Sequence, residues 1–69
     1  MVEVFKTNVE EKAATETLIG VLLRSFPSFK INIDLSDCDR VLRVEGENVE
    51  SSTIMGLVKE NGFLCEVID

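Results

Sequence analysis

The 69-residue sequence contains no histidine, no tryptophan and no tyrosine, and only one proline. Without histidine, the side chain that most often transfers protons near neutral pH is missing. The remaining residues show neither a nucleophile with a neighbouring base nor a cofactor-binding motif. We therefore predict that the protein is not an enzyme.

Basic residues are few and scattered. Seven lysines and arginines stand against thirteen aspartates and glutamates, which gives a formal net charge of −6. Binding to nucleic acid needs a basic face, so we expect no nucleic-acid partner. An acidic chain suits a positively charged partner, but the same charge also serves solubility.

Long apolar runs are also missing. The longest, residues 18–23, ends at Arg24 and is far shorter than the roughly 18 residues that a membrane span needs. The N-terminus has no basic segment followed by an apolar stretch. We expect no membrane partner and a cytoplasmic location, where Cys38 and Cys65 stay reduced.

Hydrophobic periodicity predicts the secondary structure of a single domain, residues 1–69. Alternation and β-prone residues predict strands over 2–7, 29–35, 40–45 and 63–68. The first helix is predicted to be capped by Asn8, with Glu11 as the reciprocal acidic partner, to carry Glu10 and Glu11 in its first turn, and to end at Pro27. The second begins within 48–51 and ends at Gly62. The predicted buried stripes consist of Ala14, Leu18, Val21, Leu22 and Ser25 in the first helix and of Ile54, Leu57, Val58 and Asn61 in the second.

The predicted order β-α-β-β-α-β is that of an α+β, ferredoxin-like two-layer sandwich. Its antiparallel sheet has the strand order 4-1-3-2, with both helices on one face. The end of the first strand, the hairpin turn and the start of the last strand then lie at one end of the sheet, called the pole below. We expect a loose cluster there, and any functional site with it: Glu10, Glu11, Cys38, Phe63 and Cys65.

Three stretches carry a family resemblance: FKTNV at 5–9, RVLRVEG at 40–46, and 49–63, which begins VESSTI and ends in Gly62-Phe63. With them the chain resembles the heavy-metal-associated, copper-chaperone-like domain family over essentially its whole length. The resemblance implies the same fold. Family members hold Cu(I) or another soft metal through a CxxC pair in the loop that opens the first helix.

Counted from Val9, the two cysteine positions of that motif are Glu11 and Ala14 in this chain. Alanine offers no ligand atom, and a carboxylate is a hard ligand that cuprous ion disfavours. The resemblance is therefore to a degenerate member, and we expect no metal at these positions and no cofactor. Cys65 is expected to be a small buried hydrophobe, and Cys38 an exposed thiol in the hairpin turn.

The first functional hypothesis is a non-enzymatic binding module that acts on a protein partner or on a second copy of itself. The partner-binding candidates are Glu10, Glu11, Asp37, Asp39 and Phe63. An open sheet face with Val41, Leu64 and Ile68 is a second candidate surface. The alternatives are a metal-binding protein that uses Cys38 and Cys65, or carboxylates of the pole, as non-standard Cu(I) or heavy-metal ligands, and a dimeric small-molecule sensor, which rests on fold analogy alone.

Overall fold

Two helices and four strands follow one another in the order β-α-β-β-α-β in a computed structural model, which describes residues 1–68. The elements are β1 (Val2–Thr7), α1 (Lys12–Ser25), β2 (Lys30–Asp34), β3 (Val41–Glu45), α2 (Ser51–Glu60) and β4 (Cys65–Val67). The predicted element order is confirmed. None of the helices within these 68 residues is long and apolar enough to cross a membrane.

The four strands form one antiparallel sheet in the order β2-β3-β1-β4, which is the predicted order read from the other edge. Phe5 of β1 pairs with Leu42 of β3 on one side and Val67 of β4 on the other. Because side chains alternate along a strand, these three residues share one face of the sheet. Val41, the neighbour of Leu42, faces the opposite, open side, as predicted.

Both helices pack on the same face of the sheet and close a single hydrophobic core. Leu18 and Leu22 of α1 and Ile54 and Val58 of α2 are buried, as the two predicted stripes require. The predicted last members, Ser25 and Asn61, are exposed instead. The fully buried side chains are Phe5, Val9, Leu18, Leu22, Leu42, Val44, Ile54, Val58 and Cys65. Burial of each large apolar side chain contributes about 1.5–3 kcal/mol.

The start of α1 differs from the prediction. The helix begins at Lys12 with Glu11 as its N-cap, no side chain caps it, and its first turn contains no acidic residue. The predicted capping by Asn8 is therefore wrong, as is the placement of Glu10 and Glu11 in the first turn. The physical reason is Val9, which is 0% exposed: the backbone has to place this side chain in the core before it can turn into the helix.

The end of α2 follows the prediction closely. Gly62 has φ +89°, a left-handed conformation that glycine adopts without steric cost. The Gly62 N–H donates to the Lys59 carbonyl at 3.0 Å, and the Phe63 N–H donates to the Val58 carbonyl at 3.3 Å. This pair of hydrogen bonds is the Schellman arrangement, and it fixes the direction in which the chain enters β4.

At the end of the sheet opposite the pole, Phe26 and Phe29 stack with ring centroids 4.8 Å apart. Gly46, which follows β3, lies directly beneath the ring of Phe29. A Cβ atom at this position would lie 2.6 Å from Phe29 Cε1. The close approach of Phe29 to the backbone thus requires a residue without a side chain.

We expect Gly46→Ala to lower the free energy of unfolding by about 1–3 kcal/mol, the usual cost of overpacking. Gly20→Ala is the matched control, because a Cβ at this exposed position inside α1 would meet no atom within 4 Å. It should raise stability by roughly 0.5–1 kcal/mol through helix propensity alone. Urea unfolding of both variants measures the two effects, and equal stability of the two would contradict the steric argument.

Candidate functional site

The pole is organised by Thr7, the last residue of β1, which is 6% exposed. Its N–H donates to the Asp39 carbonyl at 3.1 Å. Its hydroxyl donates to the Arg40 carbonyl at 2.6 Å and accepts the N–H of Val9 at 3.4 Å. Because Thr7 also pairs with Cys65 of β4, one residue joins three segments: the hairpin turn, the loop before α1 and the last strand. The predicted meeting of these elements at one end of the sheet is confirmed.

Asn8 adds a second connection across the pole. Its side-chain Oδ1 accepts the backbone N–H of Leu64 at 2.8 Å, a bond between residues 56 positions apart. In this position Asn8 takes the place of a backbone acceptor at the entry to β4. It therefore closes the β1–β4 ladder instead of capping the helix.

The hairpin between β2 and β3 uses its acidic residues internally. The hydroxyl and N–H of Ser36 both donate to Asp34 and hold the pKa of that carboxyl below its usual value. Asp37 Oδ1 accepts the Asp39 N–H at 2.8 Å, and Asp39 Oδ1 lies 3.8 Å from Lys6 Nζ. The candidates Asp37 and Asp39 therefore already have partners within the chain.

The two cysteines occupy different environments. Cys65 is 1% exposed on the helix-covered face of the sheet. Burial raises the pKa of its thiol to about 11; nearby Lys59 opposes the rise and Glu66 adds to it. Cys38 is exposed in the hairpin, where its Sγ and carboxylate oxygens of Asp37 and Asp39 lie within 4.8 Å of one another. Within residues 1–68 this is the one group of three or more potential metal ligands, and it does not include Cys65.

Glu11 and Ala14 do not fit a soft metal ion. The Glu11 side chain is exposed and offers hard carboxylate oxygens, while its backbone carbonyl accepts the N–H of Thr15 at 3.0 Å. Ala14 has no ligand atom. Two thiolates are the donor set that cuprous ion prefers, and these positions supply neither of them.

The pole instead carries a shallow groove that consists of two adjoining depressions. One has a volume of about 280 Å³ and the other about 200 Å³. They share Ala14 and Phe63, and we call them together the pole groove. Its lining residues are Asn8, Glu10, Glu11, Ala13, Ala14, Thr17, Leu18, Asn61 and Phe63. Sites for drug-sized molecules usually measure about 300–1,000 Å³, so each depression by itself is smaller than such a site.

The groove brings together three of the five predicted partner-binding residues: Glu10, Glu11 and Phe63. Asp37 and Asp39 are not among its lining residues. Sequence reasoning missed Ala13 and Thr17, whose i, i+4 spacing on one flank of α1 was the available signal. It also assigned Asn61 to the buried stripe of α2, whereas its side chain borders the groove.

The chain matches no protein-family model and no curated protein. Membership of the heavy-metal-associated family therefore stays a prediction.

Thr7→Val should lower the free energy of unfolding by about 1–3 kcal/mol, because it keeps the shape of the side chain but leaves the Arg40 carbonyl without its hydroxyl donor. Thr7→Ser is the matched control: it keeps the hydroxyl and loses one methyl group, at a cost of about 0.8 kcal/mol. Chemical denaturation distinguishes the two. If the serine variant proved the less stable, packing and not the hydrogen bond would dominate at this position.

The two thiols should differ in reactivity. At pH 8 we expect a disulfide reagent such as Ellman's to modify Cys38 rapidly, because this thiol is exposed. Cys65 should be modified only after unfolding in urea, because it is buried and its raised pKa disfavours the thiolate, which is the reactive form. Cys38→Ser should abolish the rapid phase. Rapid modification of two thiols in the folded wild-type protein would contradict the burial of Cys65.

Stability should also fall at alkaline pH. The pKa of Cys65 rises from its ordinary 9.0 to about 11 on folding, so between these values the folded chain holds more protons than the unfolded chain. The contribution of the protonated Cys65 thiol to the free energy of unfolding is complete below pH 9 and is lost as the pH approaches 11. Cys65→Ala should lack this alkaline loss, which thermal melts across the range would measure.

Proposed function

We propose that this chain is a small cytoplasmic, non-enzymatic binding module with a ferredoxin-like fold. It is a degenerate relative of heavy-metal-associated domains that recognises a protein partner through the pole groove and holds no soft metal ion there. The observation that carries the proposal is the position of Glu11 and Ala14. These residues, which stand where the resemblance places cysteines, line a groove together with Phe63.

The chemistry of the groove favours contact over catalysis. Active sites usually concentrate groups with strongly shifted pKa values in a cleft. Asp34, whose pKa is lowered by hydrogen bonds, and Cys65, whose pKa is raised by burial, both lie outside the groove lining. The side chains around the groove are suited to packing and to hydrogen bonding.

Within residues 1–68, the metal-binding alternative finds a group of three potential ligands only in the hairpin. Asp37, Cys38 and Asp39 offer one thiolate and two carboxylates, a mixed set that is poorly matched to cuprous ion. Recruiting Cys65 as a second thiolate requires removing it from the core and deprotonating a thiol whose pKa is raised. Both steps oppose binding, so the partner-binding function is the better supported of the two.

Titration of the reduced protein with Cu(I) and with Zn(II), each against a competing chelator, tests the proposal. We expect no metal to be retained by the wild-type chain. Stoichiometric binding that is lost in Cys38→Ser or Cys65→Ser would refute the metal-free function and establish the alternative.

The double variant Glu11→Cys/Ala14→Cys provides the positive control, because it restores a CxxC pair at the start of α1. It should bind one Cu(I) per chain in the same assay, since two thiolates at the opening of a helix form the family's usual soft-metal site. Failure of this variant to bind would argue against the proposed correspondence of these two positions.

A further inference from the structure

The floor of the pole groove is apolar and fixed in position. Leu18 is 1% exposed and Phe63 is half-buried against the core. The backbone of Phe63 is held by its hydrogen bond to the Val58 carbonyl and, one residue later, by the bond between Leu64 and Asn8. A preformed floor of this kind loses little conformational entropy when an apolar side chain packs on it.

Most polar side chains around the floor already have hydrogen-bond partners inside the chain. The Thr17 hydroxyl donates to the Ala13 carbonyl at 3.1 Å, and Asn61 Nδ2 donates to the Leu57 carbonyl at 2.8 Å. Asn8 Oδ1 accepts the Leu64 N–H. The two carboxylates of the lining, Glu10 and Glu11, differ from these side chains in carrying charge, and they form no ion pair and no side-chain hydrogen bond within the part of the chain that the structure describes.

The charge around the groove is negative. No lysine or arginine is among its lining residues. Of the nearby cations, Lys6 lies 3.8 Å from Asp39, and Lys59 lies close enough to Cys65 to oppose part of the rise that burial causes in the pKa of that thiol. Lys12 is exposed at the first position of α1, outside the lining. The chain as a whole carries a net charge of −6, so the local and the global field have the same sign.

Resting on the function proposed above, we propose that the pole groove takes an apolar side chain from a partner polypeptide in which lysine or arginine flanks that side chain. The apolar side chain packs against Phe63, Ala14 and Leu18. The flanking cations meet the carboxylates of Glu10 and Glu11 at the rim. Carboxylates carry negative charge, so a lysine or arginine flank adds an ion pair to the hydrogen bonds. A neutral flank can only donate hydrogen bonds, and an acidic flank is repelled.

Three synthetic peptides with blocked ends are suitable probes: Gly-Lys-Leu-Lys-Gly, Gly-Ser-Leu-Ser-Gly and Gly-Glu-Leu-Glu-Gly. Each is titrated into the ¹⁵N-labelled full chain, followed by amide chemical shifts. The lysine peptide should shift the amides of Ala14, Asn61 and Phe63 and bind more tightly than the serine peptide, and the glutamate peptide should bind most weakly. The difference in affinity between the lysine peptide and the serine peptide should become smaller between about 0.05 M and about 0.5 M salt, because salt screens the attraction between exposed charges.

Glu10→Gln/Glu11→Gln should weaken binding of the lysine peptide by about 2- to 25-fold, since an exposed ion pair typically contributes about 1.5- to 5-fold. The charge-matched control is Glu47→Gln/Glu50→Gln, which removes two exposed carboxylates away from the groove and should leave binding within about 2-fold. Both double variants change the net charge from −6 to about −4, so the comparison separates rim contacts from general attraction.

Equal affinity for the lysine and serine peptides, or equal weakening by the two double variants, would overturn the inferred partner chemistry and leave the groove as a binding surface. Shifts confined to the open sheet face, or no shifts with any peptide, would overturn the inferred site. None of these peptide results bears on metal binding, which the Cu(I) titration tests separately.

Discussion

The hydroxyl of Thr7 is the interaction on which the geometry of the pole depends. It is buried at the end of a central strand and joins the hairpin to the loop before α1. Its acceptor, Arg40, holds a left-handed backbone with φ 46°, which is costly for a residue with a side chain. That conformation is stabilised from two directions, because the Arg40 carbonyl accepts the hydroxyl and its guanidinium donates to the Leu35 and Asp37 carbonyls.

The position of the groove follows from this connection. Because Thr7 holds the N–H of Val9 and Val9 is fully buried, the chain stays against the core until Glu10. The helix then begins only at Lys12, and the two glutamates lie on the rim of the groove and not within the first turn of α1. A loop that is set by buried contacts thus determines which side chains are exposed at its outer surface.

Local patterns predicted what depends on local physics. Period-2 alternation located the β2–β3 hairpin, helical spacing found Leu18, Leu22, Ile54 and Val58, and Gly62 marked the end of α2. The role of Asn8 was missed because its hydrogen-bond partner, Leu64, is 56 residues away. The sequence near Asn8 is the same whether its side chain caps a helix or accepts the N–H of a distant residue. Topology sufficed to place Glu10, Glu11 and Phe63 at one pole. The contribution of Asn61 depends on how α2 packs at the pole, which the pattern of α2 alone does not specify.

The residues that hold the loop are distinct from those that give it chemistry. Thr7 and Val9 fix the path of the chain through a hydroxyl and a buried side chain, and neither interaction involves the side chains of Glu11 or Ala14. The Glu11 backbone carbonyl accepts the Thr15 N–H, a bond that any residue at position 11 can make. A change of the side chain at position 11 therefore leaves these interactions in place. The path of the loop is thus set by buried contacts, whereas the side chain that position 11 exposes at the rim of the groove is free to vary without a change of architecture.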